Sequence, residues 1–141
     1  MSRKLLTMIA ASVILSANAA AGAPEATGNP FFAVSGLPYQ YPQFDEIRDP
    51  HYAPAFARGM REQLAEVNAI AGSTAAPTLE NTIVAMERSG QLLARVSRVF
   101  FSLTSANTND TLEKLDGELS PKLAAHRDAI RLNSRLFERV Q

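Results

Sequence analysis

The sequence has 141 residues, with 14 basic and 14 acidic side chains and no net charge, about one ordinary domain with room for a modest core. Nothing in that balance suggests nucleic-acid binding, which wants a basic stripe. Cysteine is absent, which excludes disulfides, a thiolate metal site, a cysteine nucleophile and a lipoprotein-type anchor, and leaves His51 and His126 as the two imidazoles.

The chain opens with Arg3 and Lys4, an apolar run from Leu5 to Leu15, and small residues at Ala17-Asn18-Ala19 and Ala19-Ala20-Ala21. This is the three-part arrangement of a secretory signal, so residues 1–21 are predicted to be a signal peptide cleaved after Ala19 or Ala21. The apolar run is too short to span a bilayer as a helix, which takes about 20 residues. Removing Arg3 and Lys4 with the leader leaves 12 basic against 14 acidic residues. The mature chain is expected to be exported to the periplasm or secreted, without membrane contact.

Residues 22–49 carry prolines at short intervals, interleaved with Phe31, Phe32, Tyr39, Tyr41 and Phe44. Each proline removes a backbone donor and pushes the preceding residue to an extended conformation. The prediction is an extended strap whose rings dock on something apolar, with residues 22–28 a spacer.

Residues 50–141 read as a helical segment. Phe56, Met60, Leu64, Val67 and Ile70 mark one apolar helix face, ended by Gly72 and Ser73. A second helix is predicted from Leu79 to Ser105, opened by a Thr78 cap with Glu80 in its first turn. Its second half, with Leu92, Leu93, Val96, Val99, Phe100, Phe101 and Leu103, is apolar on more than one face and needs several neighbours. At 1.5 Å per residue it would be roughly 40 Å long, more than a compact domain of this size easily covers. A third helix follows, with Asp110 as expected cap and Glu113 in the capping-box position, and with Leu112, Leu115, Leu119, Leu123 and Ile130 on its apolar side. Pro121 lies inside that pattern, so either the helix kinks there or Ser120 caps a new one. Asn133 is the expected cap of a fourth helix carrying Leu136, Phe137 and Val140. The sequence stops barely two turns into it, and the expectation is truncation at the C-terminal end.

No H-E-x-x-H, G-x-S-x-G or phosphate-cradling glycine loop occurs. His51 near Asp49 and His126 near Asp128 are read as ordinary partly exposed histidines. Arg88, Arg95 and Arg98 fall on one side of the long second helix, either as a carboxylate-binding stripe or as solvated surface. Gly59, Gly90 and Gly117 each lie inside a helical pattern, where close approach of another backbone or plain tolerance would account for them. Asn109-Asp110-Thr111 matches a glycosylation acceptor, a short and weak pattern. No catalytic, cofactor-binding or metal residue is assigned.

Several stretches together resemble one family. Asn29-Pro30-Phe31-Phe32, Leu37-Pro38-Tyr39-Gln40-Tyr41-Pro42 and His51-Tyr52-Ala53-Pro54-Ala55-Phe56 look like the start of bacterial peptidyl-dipeptidases, or dipeptidyl carboxypeptidases. These belong with thimet oligopeptidase and oligopeptidase A among the zinc metallopeptidases. The likeness continues through Pro77-Thr78-Leu79-Glu80-Asn81-Thr82-Ile83, Glu87-Arg88-Ser89-Gly90, Leu103-Thr104-Ser105-Ala106-Asn107 and Leu119-Ser120-Pro121-Lys122-Leu123. The resemblance implies an all-α, two-lobed enzyme several times longer, which releases dipeptides from the C-terminus of short peptides. Its zinc would be held by an H-E-x-x-H helix and a downstream Glu in the C-terminal half. None of those residues maps onto this chain, so the expectation is a non-catalytic N-terminal lobe segment that binds no zinc itself and whose partner is the missing catalytic region. The rivals are an independent helical binding module and the product of a truncated gene.

Overall fold

The computed structural model describes residues 28–141. The expected leader, its cleavage sites and most of the spacer lie outside them. Among the described residues every regular element is helical, as the all-α reading expects.

Helix α1 spans Tyr52–Ala71 and ends on Gly72, whose N–H reaches the Asn68 carbonyl at 2.9 Å. Its buried Phe56 and Val67 and half-buried Met60, Leu64 and Ile70 are the predicted stripe. Thr78 caps the next element as expected, but its reciprocal partner is Asn81: Thr78 Oγ1 accepts from the Asn81 N–H, and Asn81 Oδ1 accepts from the Thr78 N–H. A π-helical turn, Leu79–Val84, leads into the short α2, Ala85–Arg88.

The long second helix predicted from Leu79 to Ser105 is two pieces. Ser89 is extended and Gly90 takes φ +70°, a left-handed conformation that glycine adopts without penalty. The Gly90 N–H donates to Glu66 on α1 at 2.7 Å, and a Cβ at Gly90 would run into the Gln63 side chain. The break folds α3, Gln91–Ala106, back along α1, which removes the problem of an overlong helix.

Helix α4 spans Asp110–Arg131. Its cap is Asn109, one residue before the expected Asp110; Asn109 Oδ1 accepts from the Leu112 N–H at 2.9 Å. Pro121 neither ends the helix nor starts a new one. A proline there cannot donate to the Gly117 carbonyl, and both residues are exposed, so water is free to satisfy it. Asn133 caps α5, Ser134–Val140, as expected.

The main core joins strap, α1, α3 and α4. Phe31, Ile47, Tyr52, Phe56, Val96, Phe100, Leu112 and Leu119 are all buried in it. Ring centroids step from Phe31 to Tyr52 at 5.4 Å, to Phe100 at 5.1 Å, and to Phe56 at 5.3 Å, contacts worth about 0.5–1.5 kcal/mol each beyond their buried area. A smaller cluster, Val67, Ala71 and Leu136 with Met86 and Ile130 alongside, closes the other end of α1. The apolar faces of α3 are therefore largely covered within the chain, with Phe101 left 40% exposed.

The strap over residues 28–49 is less extended and less docked than predicted. It contains short 3-10 turns at Pro30–Phe32 and Pro38–Gln40, and a third at Asp49–His51 runs into α1. Phe31 is buried and Phe32 stacks under the Arg58 guanidinium at 4.4 Å, but Tyr39, Tyr41 and Phe44 face solvent. Tyr39 and Gln40 hold left-handed φ of 58° and 56° at the bend, where the Tyr39 ring is fully exposed.

Candidate functional site

Both histidines serve the fold. His51 Nδ1 accepts from the Arg48 N–H at 3.1 Å, and its carbonyl accepts from Asn29 Nδ2 at 2.8 Å, which pins the start of α1 to the start of the strap. His126 is buried on α4 with Nε2 2.8 Å from Gln63 Oε1 on α1. Burial pushes the His126 pKa below the ordinary value, so the ring is neutral near pH 7 and Nε2–H donates to the amide oxygen. Asp49 accepts from Asn109 Nδ2 at 3.2 Å rather than from an imidazole. Among the described residues no group of three or more His, Asp or Glu side chains is gathered to hold a metal.

The arginine stripe does not form, because the break at Gly90 takes Arg88 off the helix that carries the other two. Arg88 pairs with Glu80 at 3.0 Å. Arg95 directs Nε and Nη2 to the Phe31 carbonyl at 3.2 and 2.6 Å, tying the strap to α3; burial lowers its pKa, with Glu62 opposing. Arg98 is exposed and donates to the Ala94 carbonyl at 3.4 Å. The Asn109 side chain is committed as cap through Oδ1 and as partner of Asp49 through Nδ2, the nitrogen a glycan would occupy.

The glycines separate by position. A Cβ at Gly59 would come 2.9 Å from the Leu93 backbone, so α1 and α3 touch main chain to main chain, whereas Gly117 has open space around it. Two residues with larger roles gave little sequence signal. Arg139 on α5 donates to the carbonyls of Ser73 and Ala75 at 2.9 and 3.0 Å and to Asn81 Oδ1 at 3.1 Å. Asn29 is buried and also accepts from the Phe31 N–H at 3.0 Å, a use that its place before Pro30 could have indicated.

A groove of about 430 Å³ is floored by Gln63 of α1, and a larger, more open depression of about 570 Å³ adjoins it over Ser97, Arg98, Phe101, Ser102 and Ser105 of α3. Leu93, Ser97 and Phe101 of α3 form one wall of the groove, and Ser120, Leu123, His126, Arg127, Ile130 and Arg131 of α4 form the other. A further cleft of about 270 Å³ is lined by Tyr39 and Tyr41 of the strap and by Arg95 and Arg98 of α3. In the groove Ser120 Oγ lies 3.5 Å from Asp116 Oδ1 and His126 is bonded to Gln63, so its serines and its imidazole are not hydrogen-bonded to one another. No described helix is long and apolar enough to cross a membrane.

No family model matches the chain. It is 52% identical over 112 residues to the dipeptidyl carboxypeptidase of Salmonella typhimurium and 50% identical over 114 residues to that of Escherichia coli. Those matches cover 79% and 81% of this chain. They span 16% and 17% of the relatives, so the chain is a fraction of their length.

Proposed function

We propose, from the premise that this chain is homologous to an N-terminal part of the dipeptidyl carboxypeptidases, that it is a non-catalytic architectural segment of an exported zinc metallopeptidase that releases dipeptides from the C-terminus of short peptides. The observation that carries this reading is half-identity along four-fifths of the chain set against only 16–17% of the relatives' length. His51 Nδ1 and His126 Nε2 each serve a hydrogen bond within the fold, and no group of three or more His, Asp or Glu side chains is gathered among the described residues, which supports this reading. In this reading the metal and its chemistry belong to polypeptide outside this chain. Export is inferred from the leader pattern at residues 1–21. The segment's task is to pack on the rest of its lobe and help wall the channel that limits substrate size.

The test has two arms. Codons beyond residue 141 are read for an in-frame H-E-x-x-H, and the longer product is assayed on short peptides with a free C-terminus. Dipeptide release that a chelator abolishes, absent from residues 22–141 alone, is the expected result. Tight 1:1 zinc binding by residues 22–141 in calorimetry, or peptide hydrolysis by them, would refute it. One observation favours a second reading as an independent helical binding module: the aromatic core closes within the chain itself.

A further inference from the structure

The groove between α3 and α4 combines apolar walls with two arginines that the fold as it stands does not use. Leu93, Phe101, Leu123 and Ile130 make its walls apolar, and Ser97 and Ser120 are small enough to let another backbone come close. Arg127 and Arg131 stand one helical turn apart on the α4 wall. Neither has an ion pair or hydrogen bond among the described residues, and no acidic side chain lines the groove. From Ser120 to Arg131 the wall runs about three turns, roughly 17 Å.

We propose that this groove receives a helix of about three turns from the part of the same polypeptide that this chain does not include. That helix turns apolar residues at i, i+3, i+4 and i+7 inward and sets an Asp or Glu against Arg127 and Arg131. The proposal rests on the reading of the chain as one segment of a longer protein, whose relatives have most of their length outside the matched region. Charge argues against a second copy. A two-fold contact places the same patch on itself, so the two arginines would meet their own counterparts with no carboxylate between them. An acidic amphipathic helix answers both the apolar walls and the unpaired guanidinium groups.

Phe101→p-benzoylphenylalanine in the full-length product, irradiated and mapped by peptide mass, tests this. The expected crosslink is intramolecular, to a segment beyond residue 141 with apolar helical spacing and an acidic residue. A crosslink to a second copy or to residues 1–27, or none at all, overturns the proposal. A second variant, R127E/R131E, is expected to raise amide exchange in the captured helix by about tenfold; unchanged exchange overturns the acidic assignment. The two readings fail separately. A chelator-sensitive peptidase in which Phe101 captures nothing removes only the groove assignment. An inactive product with the expected crosslink removes only the enzymatic one, and a gene that ends at Gln141 removes both.

Discussion

At its N-terminal half α1 is buried by rings, whereas at its C-terminal end it is tied down by amides and one guanidinium. The first region stacks Tyr52 and Phe56 against Phe31 and Phe100 with the α1 and α3 backbones in contact at Gly59. The second buries little beyond Val67, Ala71 and Leu136, and Arg139 draws the 73–77 turn and the π-helical turn onto α5. Apolar packing is hard to open piecemeal, because each ring has neighbours on several elements. Polar ties at the surface exchange with water and open locally. The aromatic end should therefore set the global stability, and the tied end should breathe.

The sharpest way to break that contrast is Phe100→Ala. Removing a ring at 0% exposure should lower unfolding stability by about 3–5 kcal/mol in urea titration, and should do so for every probe at once. A loss confined to one end would break the comparison. Gly59→Ala should cost about 1–3 kcal/mol by forcing α1 off the Leu93 backbone, while Gly117→Ala, with open space around it, should gain up to about 1 kcal/mol. The difference between the two melting temperatures measures the backbone contact alone. Arg139→Ala should cost about 1–2 kcal/mol, read as faster amide exchange in α5 and residues 79–88 with α1 and α3 unchanged near Phe56 and Phe100. The smallest effect concerns His126, which lies between the two regions. Its folded pKa is lowered by burial, so the unfolded chain binds the proton more readily. Its contribution is intact above the ordinary value of about 6.5 and is lost as pH falls from there through the folded value. His126→Gln should flatten that acid limb in stability measured across the pH range.

This same contrast explains what could be read from residues alone. The helices came through because Phe56, Met60 and Val67, or Leu112, Leu119 and Leu123, repeat at helical spacing, and periodicity is a local property. The caps at Thr78 and Asn133 came through for the same reason. The break at Gly90 did not, since the apolar spacing resumes across it and the decisive contacts come from Gln63 and Glu66, more than twenty positions away. Pro121 left its outcome open because a proline in a long helix is tolerated or not according to whether the freed carbonyl can reach water. The strap's aromatic residues suggested docking for all, yet Phe31 and Phe32 pack on the helices while Tyr41 and Phe44 pack on each other and Tyr39 is fully exposed; composition alone does not tell a docked ring from an exposed one. The groove is a property of how α3 and α4 stand apart on α1, and Arg127 and Arg131 look like ordinary surface charges until both walls are in place.

The contact from Asn29 Nδ2 to the His51 carbonyl gives residues 29–51 a closed neck, with the fully exposed Tyr39 at the far rim. A loop whose ends are already pinned has its closure entropy settled at the neck, and lengthening the rim is cheap, about 0.6 kcal/mol for each doubling. Changing the length of the rim around Tyr39 should therefore cost the fold little, while the ring stack beneath it keeps its register.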